Sequence, residues 1–280
     1  MWDTLIIKPF ISILLFIYDL IGQNFGLAII LFTIIMKAVT YPLTAKQIKS
    51  SKALQDLQSD KDWQEMQKKY KNDRDRLAQE QMKLYRDKGI SPFASCLPTV
   101  IQFPIIIGLY QSIIQTMGNA PMQMLNLVSK ISPWLTNIFW FIPGLHDPIT
   151  LIPLNSQFLW MDISRPERLM IPGIPFGIPV LAILVVITSY IQTKLIGMPG
   201  GGEQQQGQMS GIMNIYMPLL MGWFAYSFAS GLAIYFFTSN LITIAQYALM
   251  GKADLSNLLP KKPSNEKKSS SEKKAPKGSK

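Results

Sequence analysis

The sequence predicts an all-α, polytopic membrane protein with five transmembrane helices and a helical hairpin on the cytoplasmic side. Three observations support this prediction. Hydrophobic residues make up 48% of the 280 residues and charged residues only 16%, whereas a soluble domain carries about 25% charged residues. Apolar runs long enough to cross a bilayer recur along the chain. Finally, 21 of the 27 lysines and arginines fall in residues 46–90 and 251–280, as they would in loops on one side of a membrane.

The N-terminal residues 1–24 are predicted to form a helix that lies on the outer membrane surface. Their apolar run, Pro9–Ile21, is too short to cross and is interrupted by Asp19. A cleavable signal peptide is the alternative interpretation, but a signal peptide requires a basic start and a small-residue cleavage site. Here Lys8 is the only cation in the segment, so we favour the interfacial helix.

Five apolar runs of 18 or 19 residues are the candidate membrane spans. Each is close to the roughly 20 residues that cross the hydrocarbon layer as a helix. The most apolar windows are Phe25–Leu43, Cys96–Ile114, Ile178–Ile196, Ile212–Ala229 and Leu232–Met250. We assign the spans to residues 25–45, 91–115, 178–196, 212–229 and 232–250.

The positive-inside rule orients these spans. The two basic segments must share the cytoplasmic side, and an odd number of spans allows this if the N-terminus is outside. Residues 116–177 then form an external loop and residues 197–211 a cytoplasmic one. We therefore expect a multi-pass protein of the cell membrane with an external N-terminus and a cytoplasmic C-terminus.

The two basic cytoplasmic segments differ in character. Residues 46–90 are rich in helix-forming residues with a sparse apolar stripe, and a break is expected near Ser59–Asp62. They predict two antiparallel helices, with a solvated charged connector as the alternative. Residues 251–280 are rich in Lys, Ser and Pro and predict a disordered tail. Such a tail binds polyanions such as rRNA or anionic lipid, or else only fixes topology and solubility.

Lys37 lies deep within the first span. It is nine residues from Lys46, which corresponds to roughly 13 Å of helix. A lysine at that depth costs on the order of 2.5–3.5 kcal/mol on insertion scales. No Asp or Glu lies within the five spans, so an ion pair between spans cannot offset the cost. We therefore expect Lys37 to face a hydrated cavity that is open to the cytoplasm.

Polar residues at helical spacing support this cavity. Thr33, Lys37, Thr40 and Thr44 share one face of the first span. The last span has a matching stripe of Tyr235, Ser239, Ile242 and Gln246. Gln102 and Gln192 add amides from the second and third spans. Hydrogen bonding between helices is the alternative role for each of these residues taken alone.

Composition excludes several kinds of chemical site. Cys96 is the only cysteine and His146 the only histidine. The chain therefore has no disulfide of its own and no cysteine cluster for a metal, and a histidine-based catalytic or metal site would rest on a single residue. We expect no catalytic residue, no metal and no cofactor, and we do not expect an enzyme.

Four segments resemble the YidC/Oxa/Alb family of membrane protein insertases over roughly residues 10–250. They are similar to the family's first core span, second span, external element before the third span, and last span. The segments are FGLAIILFTIIMKAVTYPLT (25–44), SPFASCLPTVIQFPIIIGLY (91–110), FLWMDIS (158–164) and SGLAIYFFTSNLITIAQ (230–246).

This resemblance implies five spans around a hydrophilic groove open to the cytoplasm and to lipid, and the insertion and folding of membrane proteins. Lys37 stands where the family has a groove arginine, and Thr33 stands at a substrate-contacting position. Tyr235 and Phe236 match an aromatic pair of the last span, with Phe236 in place of a second tyrosine. The resulting groove residues are Lys37, Thr33, Thr40, Gln102, Gln192, Tyr235, Phe236, Ser239 and Gln246.

The resemblance also implies the partners. These are nascent membrane proteins, the lipid bilayer, the ribosome through the basic tail, and the Sec translocon, with which the chain would work in addition to acting alone. No DNA partner is expected. A channel or small-solute transporter is the alternative function, but it should carry acidic residues within the membrane or an internal repeat, and the sequence has neither. The lysine at position 37 is the main departure, because a desolvated lysine can lose its proton whereas arginine stays charged.

Overall fold

The computed structural model describes residues 2–58, 60–70, 72–90, 97–117, 151, 154–170, 177–196 and 207–251. These residues are mostly helical, and a π-helical turn at Asp3–Ile7 precedes the first α-helix. The α-helices are α1 (Lys8–Leu20), α2 (Phe25–Val39), α3 (Tyr41–Gln58), α4 (Lys61–Lys69), α5 (Arg74–Asp87), α6 (Leu97–Thr116), α7 (Val180–Ile196), α8 (Gly207–Ser227) and α9 (Ser230–Leu249). Two short strands, β1 (Gln157–Phe158) and β2 (Met161–Asp162), form an antiparallel hairpin.

Helix α1 packs against the other helices through one face. Ile11, Leu14 and Ile17 are buried on this face, and the side chain of Tyr18 is only 2% exposed. The chain then turns at Gly22, which adopts φ +73°, and α1 and α2 meet at an angle of 120°. This sharp bend fits the interfacial helix that the sequence predicts, although its position at a membrane surface stays a prediction.

The helix of the predicted first span ends earlier than the sequence suggested. Helix α2 stops at Val39 and α3 begins at Tyr41, whereas residues 25–45 were assigned to one span. Pro42 explains the difference, because a proline lacks the N–H that would bond to the carbonyl of Ala38 and its ring clashes with that carbonyl. Lys37 consequently lies in the last turn of α2.

The segment predicted as a cytoplasmic hairpin contains one more break than expected. The anticipated break precedes α4, and a second one separates α4 from α5, where the side chain of Asp73 accepts a hydrogen bond from the N–H of Arg76 at 3.0 Å and caps α5. The two short helices contact each other. At one end, Lys88 bonds to Asp60 at 3.3 Å, and this hydrogen bond lowers the pKa of the Asp60 carboxyl.

Helix α3 is tied to the helical bundle rather than projecting freely from it. It contacts α6 and α7. Ile48, Ser51, Leu54 and Leu57 are buried and recur every three residues, which places them on one face. The charged residues of α3 occupy the remaining surface. The segment after the first span is therefore amphipathic, as its sparse apolar stripe predicted.

Helix α9 occupies the centre of the bundle and contacts α2, α6, α7 and α8. Its first seven residues, 230–236, are all buried. Small residues allow the helices to pack this closely. Gly231 lies against Ile163, Ile29 and Ile113, and Gly222 of α8 lies so close to Val186 that a methyl group there would overlap it.

Residues 163–167 hold the first turns of α7 and α9. The N–H groups of Ser230 and Gly231 donate to the carbonyls of Arg165 (2.8 Å) and Ile163 (3.1 Å). The carboxylate of Glu167 accepts from the backbone N–H of Leu181 at 2.8 Å. These contacts satisfy N–H groups that a helix start leaves without an intrahelical partner.

Three helices of the bundle present apolar stripes away from the core. The exposed residues recur at three- to four-residue spacing, which puts them on one face of each helix. They are Phe103, Ile107 and Ile114 on α6; Ile183, Ile187 and Tyr190 on α7; and Ile215, Leu219, Trp223 and Tyr226 on α8. Apolar surfaces of this extent are rare on soluble monomers, and they favour a lipid environment.

Within the described residues, α9 alone is both long and apolar enough to cross a membrane, and α1 with α2 meets the same criteria as a bent pair. Helix α7 is apolar but shorter. The five-span count therefore stays a prediction of the sequence. Most of the predicted external loop, the cytoplasmic loop up to residue 206 and the basic tail lie outside the described residues.

Gly231→Ala should destabilise the protein. A Cβ atom at this position would lie 2.6 Å from Ile163 and 3.1 Å from Ile29, and overpacking of this kind costs roughly 1–3 kcal/mol. We expect a lower thermal unfolding midpoint in detergent micelles. Ala245→Leu on the exposed side of α9 is the matched control and should leave the midpoint unchanged; equal midpoints for both variants would contradict the packing at the start of α9.

Candidate functional site

The side chain of Lys37 crosses from α2 to α9. Its Nζ donates a hydrogen bond to Oγ1 of Thr243 at 3.0 Å, and the same hydroxyl donates to the carbonyl of Ser239 at 2.8 Å. A hydrogen bond from a charged donor is stronger than one between neutral groups. The position of Lys37 in the last turn of α2 adds to its stabilisation, because the free carbonyls at a helix C-terminus favour a cation.

The threonines of the predicted polar face bond to their own helix. Thr33 donates to the carbonyl of Ile29 at 2.6 Å, and Thr40 donates to that of Met36 at 2.8 Å. Such bonds satisfy the hydroxyl proton in an apolar setting and leave the oxygen able to accept. Thr33 is fully buried, whereas Thr40 is partly exposed.

Gln102 and Tyr235 join α6 to α9. The side-chain amide of Gln102 donates to the hydroxyl of Tyr235, and Tyr235 is 2% exposed. Phe236, the other member of the aromatic pair, belongs to the hydrophobic core. The structure thus pairs two of the sequence-predicted groove residues and places a third among apolar neighbours.

Asn240 joins α9 to α7. Its Nδ2 donates to Oγ1 of Thr188 at 3.1 Å and to Oγ of Ser189 at 2.8 Å. The predicted site residues include none of these three, nor do they include Thr243. The sequence feature that marks these four residues is an amide or hydroxyl within an apolar run, where a polar group needs a partner on another helix.

Two amide oxygens near the ends of α7 and α9 have no partner among the described residues. These are Oε1 of Gln192 and Oε1 of Gln246, and both are buried. Ser239 is also buried, and its carbonyl accepts from Thr243. A buried amide oxygen normally accepts at least one hydrogen bond, so these two oxygens can accept from a group that enters the site.

We refer to the polar residues along the line where α9 meets helices α2, α6 and α7 as the polar seam. It comprises Lys37, Gln102, Thr188, Ser189, Gln192, Tyr235, Ser239, Asn240, Thr243 and Gln246. On α9 the seam begins at Tyr235, and residues 229–234, which precede it in the chain, are all buried. The seam can bind polar groups through hydroxyls, amides and one cation.

Metal chemistry has no support in this part of the molecule. Among the described residues, no group of three or more His, Cys, Asp and Glu side chains could hold a metal ion. The chain's only histidine and only cysteine, His146 and Cys96, lie outside the described residues.

A family model described as 60Kd inner membrane protein matches residues 16–256 of the chain. This range contains every residue of the polar seam. Membrane protein insertase MisCA of Bacillus subtilis (strain 168) is 30% identical over 272 residues, which are 95% of this chain and 86% of that protein.

Longer relatives match as well. Inner membrane ALBINO3-like protein 2, chloroplastic, of Chlamydomonas reinhardtii is 32% identical over 81% of this chain, and membrane protein insertase YidC of Syntrophobacter fumaroxidans is 33% identical over 88% of it. The chain spans only 49% and 37% of those two proteins.

The fold has a counterpart among solved structures. An active YidC insertase crystal structure, with the first transmembrane domain resolved, superimposes with a TM-score of 0.51 at 24% sequence identity. The match covers 86% of this chain and 45% of that one. At this level of identity the likeness concerns the fold.

A double-mutant cycle should measure the contact between Lys37 and Thr243. Thr243→Val keeps the shape but removes the acceptor, so it should destabilise the protein by about 1–3 kcal/mol. The same substitution in a Lys37→Met background should cost much less, because the donor is already gone. Thermal unfolding in detergent measures both steps, with Thr243→Ser as the control that keeps the hydroxyl. Equal costs in the two backgrounds would mean that the contact contributes nothing.

Proposed function

Because the chain belongs to the 60Kd inner membrane protein family, whose members include the YidC insertases, we propose that it inserts integral membrane proteins and assists their folding. The observation that supports this function best is the placement of Lys37. A cation bonded to a neutral hydroxyl between two apolar helices is poorly compensated, and it is well placed to attract an acidic or polar segment of a substrate.

The proposed membrane arrangement has five spans, an external N-terminus and a cytoplasmic C-terminus. The spans include α2, α6, α7, α8 and α9, and the exposed apolar stripes of α6, α7 and α8 face lipid. Helix α1 lies on the outer surface, since it meets α2 at 120°. Helices α4 and α5 project into the cytoplasm, together with the basic residues 251–280.

The polar seam is the proposed groove, reached from the cytoplasm. Lys37 lies in the last turn of α2, near the break at Thr40 where α3 begins. The unpartnered oxygens of Gln192 and Gln246 lie towards the same side, near the C-terminal ends of α7 and α9. A cluster of unsatisfied acceptors and one cation at this side can bind water and the backbone of an entering chain.

Insertion in this proposal lowers a barrier and forms no covalent bond. The polar end of a substrate enters the seam instead of crossing bare hydrocarbon. Lys37 attracts its acidic residues, while the seam's hydroxyls and amides exchange hydrogen bonds with its backbone. The hydrophobic part of the substrate then moves along the apolar faces of the neighbouring helices into lipid.

The proposed partners follow from the family and, for the ribosome, also from charge. Nascent membrane proteins and the bilayer are the substrates and surroundings of an insertase. The basic tail suits the ribosome, since nine of its residues are cationic and three acidic within 251–280. The Sec translocon is the further partner when the chain does not act alone.

Substitution of Lys37 tests the charge model. Lys37→Ala should reduce insertion of a single-span substrate with an acidic N-terminal segment by roughly tenfold, because loss of a contact with a charged group costs about 1.5–3 kcal/mol. Lys37→Glu should reduce insertion further through repulsion, and Lys37→Arg should restore it. Protease protection of the radiolabelled substrate in proteoliposomes measures the outcome.

Lys194→Gln is the matched control. Lys194 is the cation in the last turn of α7 and lies over the ring of Tyr190, with its Nζ 5.5 Å from the centroid. It is not part of the seam, so its loss should leave insertion unchanged. Normal insertion by both Lys37→Ala and Lys37→Glu would refute the charge model, and ion flux through the same proteoliposomes without insertion would favour a channel.

A further inference from the structure

The tip of the external β-hairpin consists of two large apolar side chains. Phe158 pairs with Met161, so Leu159 and Trp160 form a two-residue loop. Such loops favour Asn and Gly because their backbone requires positive φ. Leu159 adopts φ +55°, a conformation that is unfavourable for a residue with a Cβ atom. Nevertheless its side chain is 72% exposed, and that of Trp160 is 50% exposed.

This tip is held firmly by the rest of the molecule. Phe158 contacts Gly26 of α2 so closely that a methyl group at Gly26 would overlap its ring. On the other strand, Met161 is buried in the core, as is Ile163 just beyond it. The exposed side chains at the tip therefore extend from a fixed base.

The only polar atom of the Trp160 side chain is turned towards the protein. Its Nε1–H donates to Oε1 of Glu167 at 2.9 Å, and the other oxygen of Glu167 accepts from the N–H of Leu181. Glu167 is 5% exposed. Because its N–H is satisfied internally, the exposed part of the indole is carbon, which gains nothing from contact with water.

The position of the hairpin indicates what covers this tip. Glu167 binds the first turn of α7, and the Ser230 hydroxyl of α9 donates to the carbonyl of Asp162 at 2.7 Å. The tip therefore lies level with the starts of both helices. In the topology proposed above, those starts mark the outer face of the membrane, where tryptophan is favoured.

Apolar side chains are also exposed near the starts of both flanking helices. Leu27 follows Gly26 on α2 and is exposed, and Ile183 begins the exposed stripe of α7. Trp2, at the outer end of α6, repeats the arrangement of Trp160, since its Nε1 donates to Gln111 at 2.8 Å while its ring stays exposed. Exposed apolar side chains thus occur near the starts of α2 and α7 and, through Trp2, beside Gln111 of α6.

From these contacts we infer that Leu159 and Trp160 insert into the boundary between headgroups and acyl chains of the outer leaflet and anchor the starts of α7 and α9 at that depth. The occupant of this surface is the phospholipid bilayer itself. The inference rests on the proposed membrane topology, and it adds an anchor that links lipid depth to the two helices that carry most of the polar seam.

Fluorescence depth measurement tests the anchor. In a Cys96→Ser background, Leu159→Cys is labelled with the environment-sensitive dye NBD, and the full chain is reconstituted into phosphatidylcholine and phosphatidylglycerol vesicles with spin-labelled lipids. We expect blue-shifted emission that is quenched more by a spin label at acyl carbon 5 than by one at carbon 12. Arg165→Cys, whose native side chain is 80% exposed on the same segment, is the control, and its quenching should be lower by about twofold or more, since an interfacial anchor reaches only about 5–10 Å into the boundary.

A third label separates the anchor from the topology. Ile187→Cys lies in the exposed stripe of α7 and should be quenched from within the hydrocarbon. If the label at Ile187→Cys is quenched and the label at Leu159→Cys has the same water-like emission as Arg165→Cys, the anchor is wrong and the topology stands. If neither label is quenched, the proposed topology fails, and the anchor fails with it.

Leu159→Asn separates anchoring from packing within the protein. Asparagine adopts positive φ more readily than leucine, so this variant should unfold in detergent at or above the temperature of the unchanged chain. A midpoint several degrees lower would assign Leu159 a packing role and overturn the inference, as would a crosslink from Leu159→Cys to a second copy or to a substrate in place of lipid quenching.

Discussion

The position of one lysine among apolar helices constrains the rest of this structure. Lys37 cannot be left without polar contacts in a hydrocarbon setting, because an uncompensated charge there is costly. Three features meet that requirement together. Pro42 ends α2 soon after the lysine, so Lys37 lies at a helix end whose carbonyls favour a cation. The hydroxyl of Thr243 accepts a hydrogen bond from Lys37 across the interface, and the carbonyl of Ser239 in turn accepts one from Thr243. The rotation of α9 about its axis is thereby fixed relative to α2.

The remaining contacts of α9 are consistent with that rotation. With Thr243 directed at α2, Asn240 meets the hydroxyls of α7 and Tyr235 meets the amide of α6. At the other end of the helix, the carbonyls of Arg165 and Ile163 accept from the first two N–H groups of α9. Glu167 accepts from the N–H of Leu181 in the first turn of α7. Helix α9 is therefore held by polar contacts at its start and along its length, while Gly231 and the apolar residues beside it provide close packing.

The sequence predicted the helices well and their contacts only in part. Hydrophobic runs placed α6, α7, α8 and α9 near their observed bounds, because the requirement for an apolar surface is local to each helix. Residues 25–45 were assigned to one span although Pro42 lies within them, whereas the structure has a helix break just before this proline. The stripe predicted on the last span included Ile242, whereas Thr243 is the residue that accepts the hydrogen bond from Lys37. Residue spacing alone does not distinguish two neighbouring positions on a helix that differ by a small rotation about its axis. The N–H of Leu181 donates to the carboxylate of Glu167, 14 positions earlier in the chain, and no periodicity reports such a contact.

The modest strength of the contacts in the polar seam suits the proposed function. Hydrogen bonds between membrane helices average about 0.6 kcal/mol in measured cases, because the separated helices also find partners. The bonds of the seam between neutral groups can therefore be exchanged for bonds with an entering backbone at little net cost. A seam built from ion pairs would resist such exchange, since breaking a buried pair leaves an uncompensated charge. Lys37 is bonded to a hydroxyl rather than to a carboxylate. In the proposed function, no acidic side chain of the protein would then compete with the acidic segment of a substrate for this lysine.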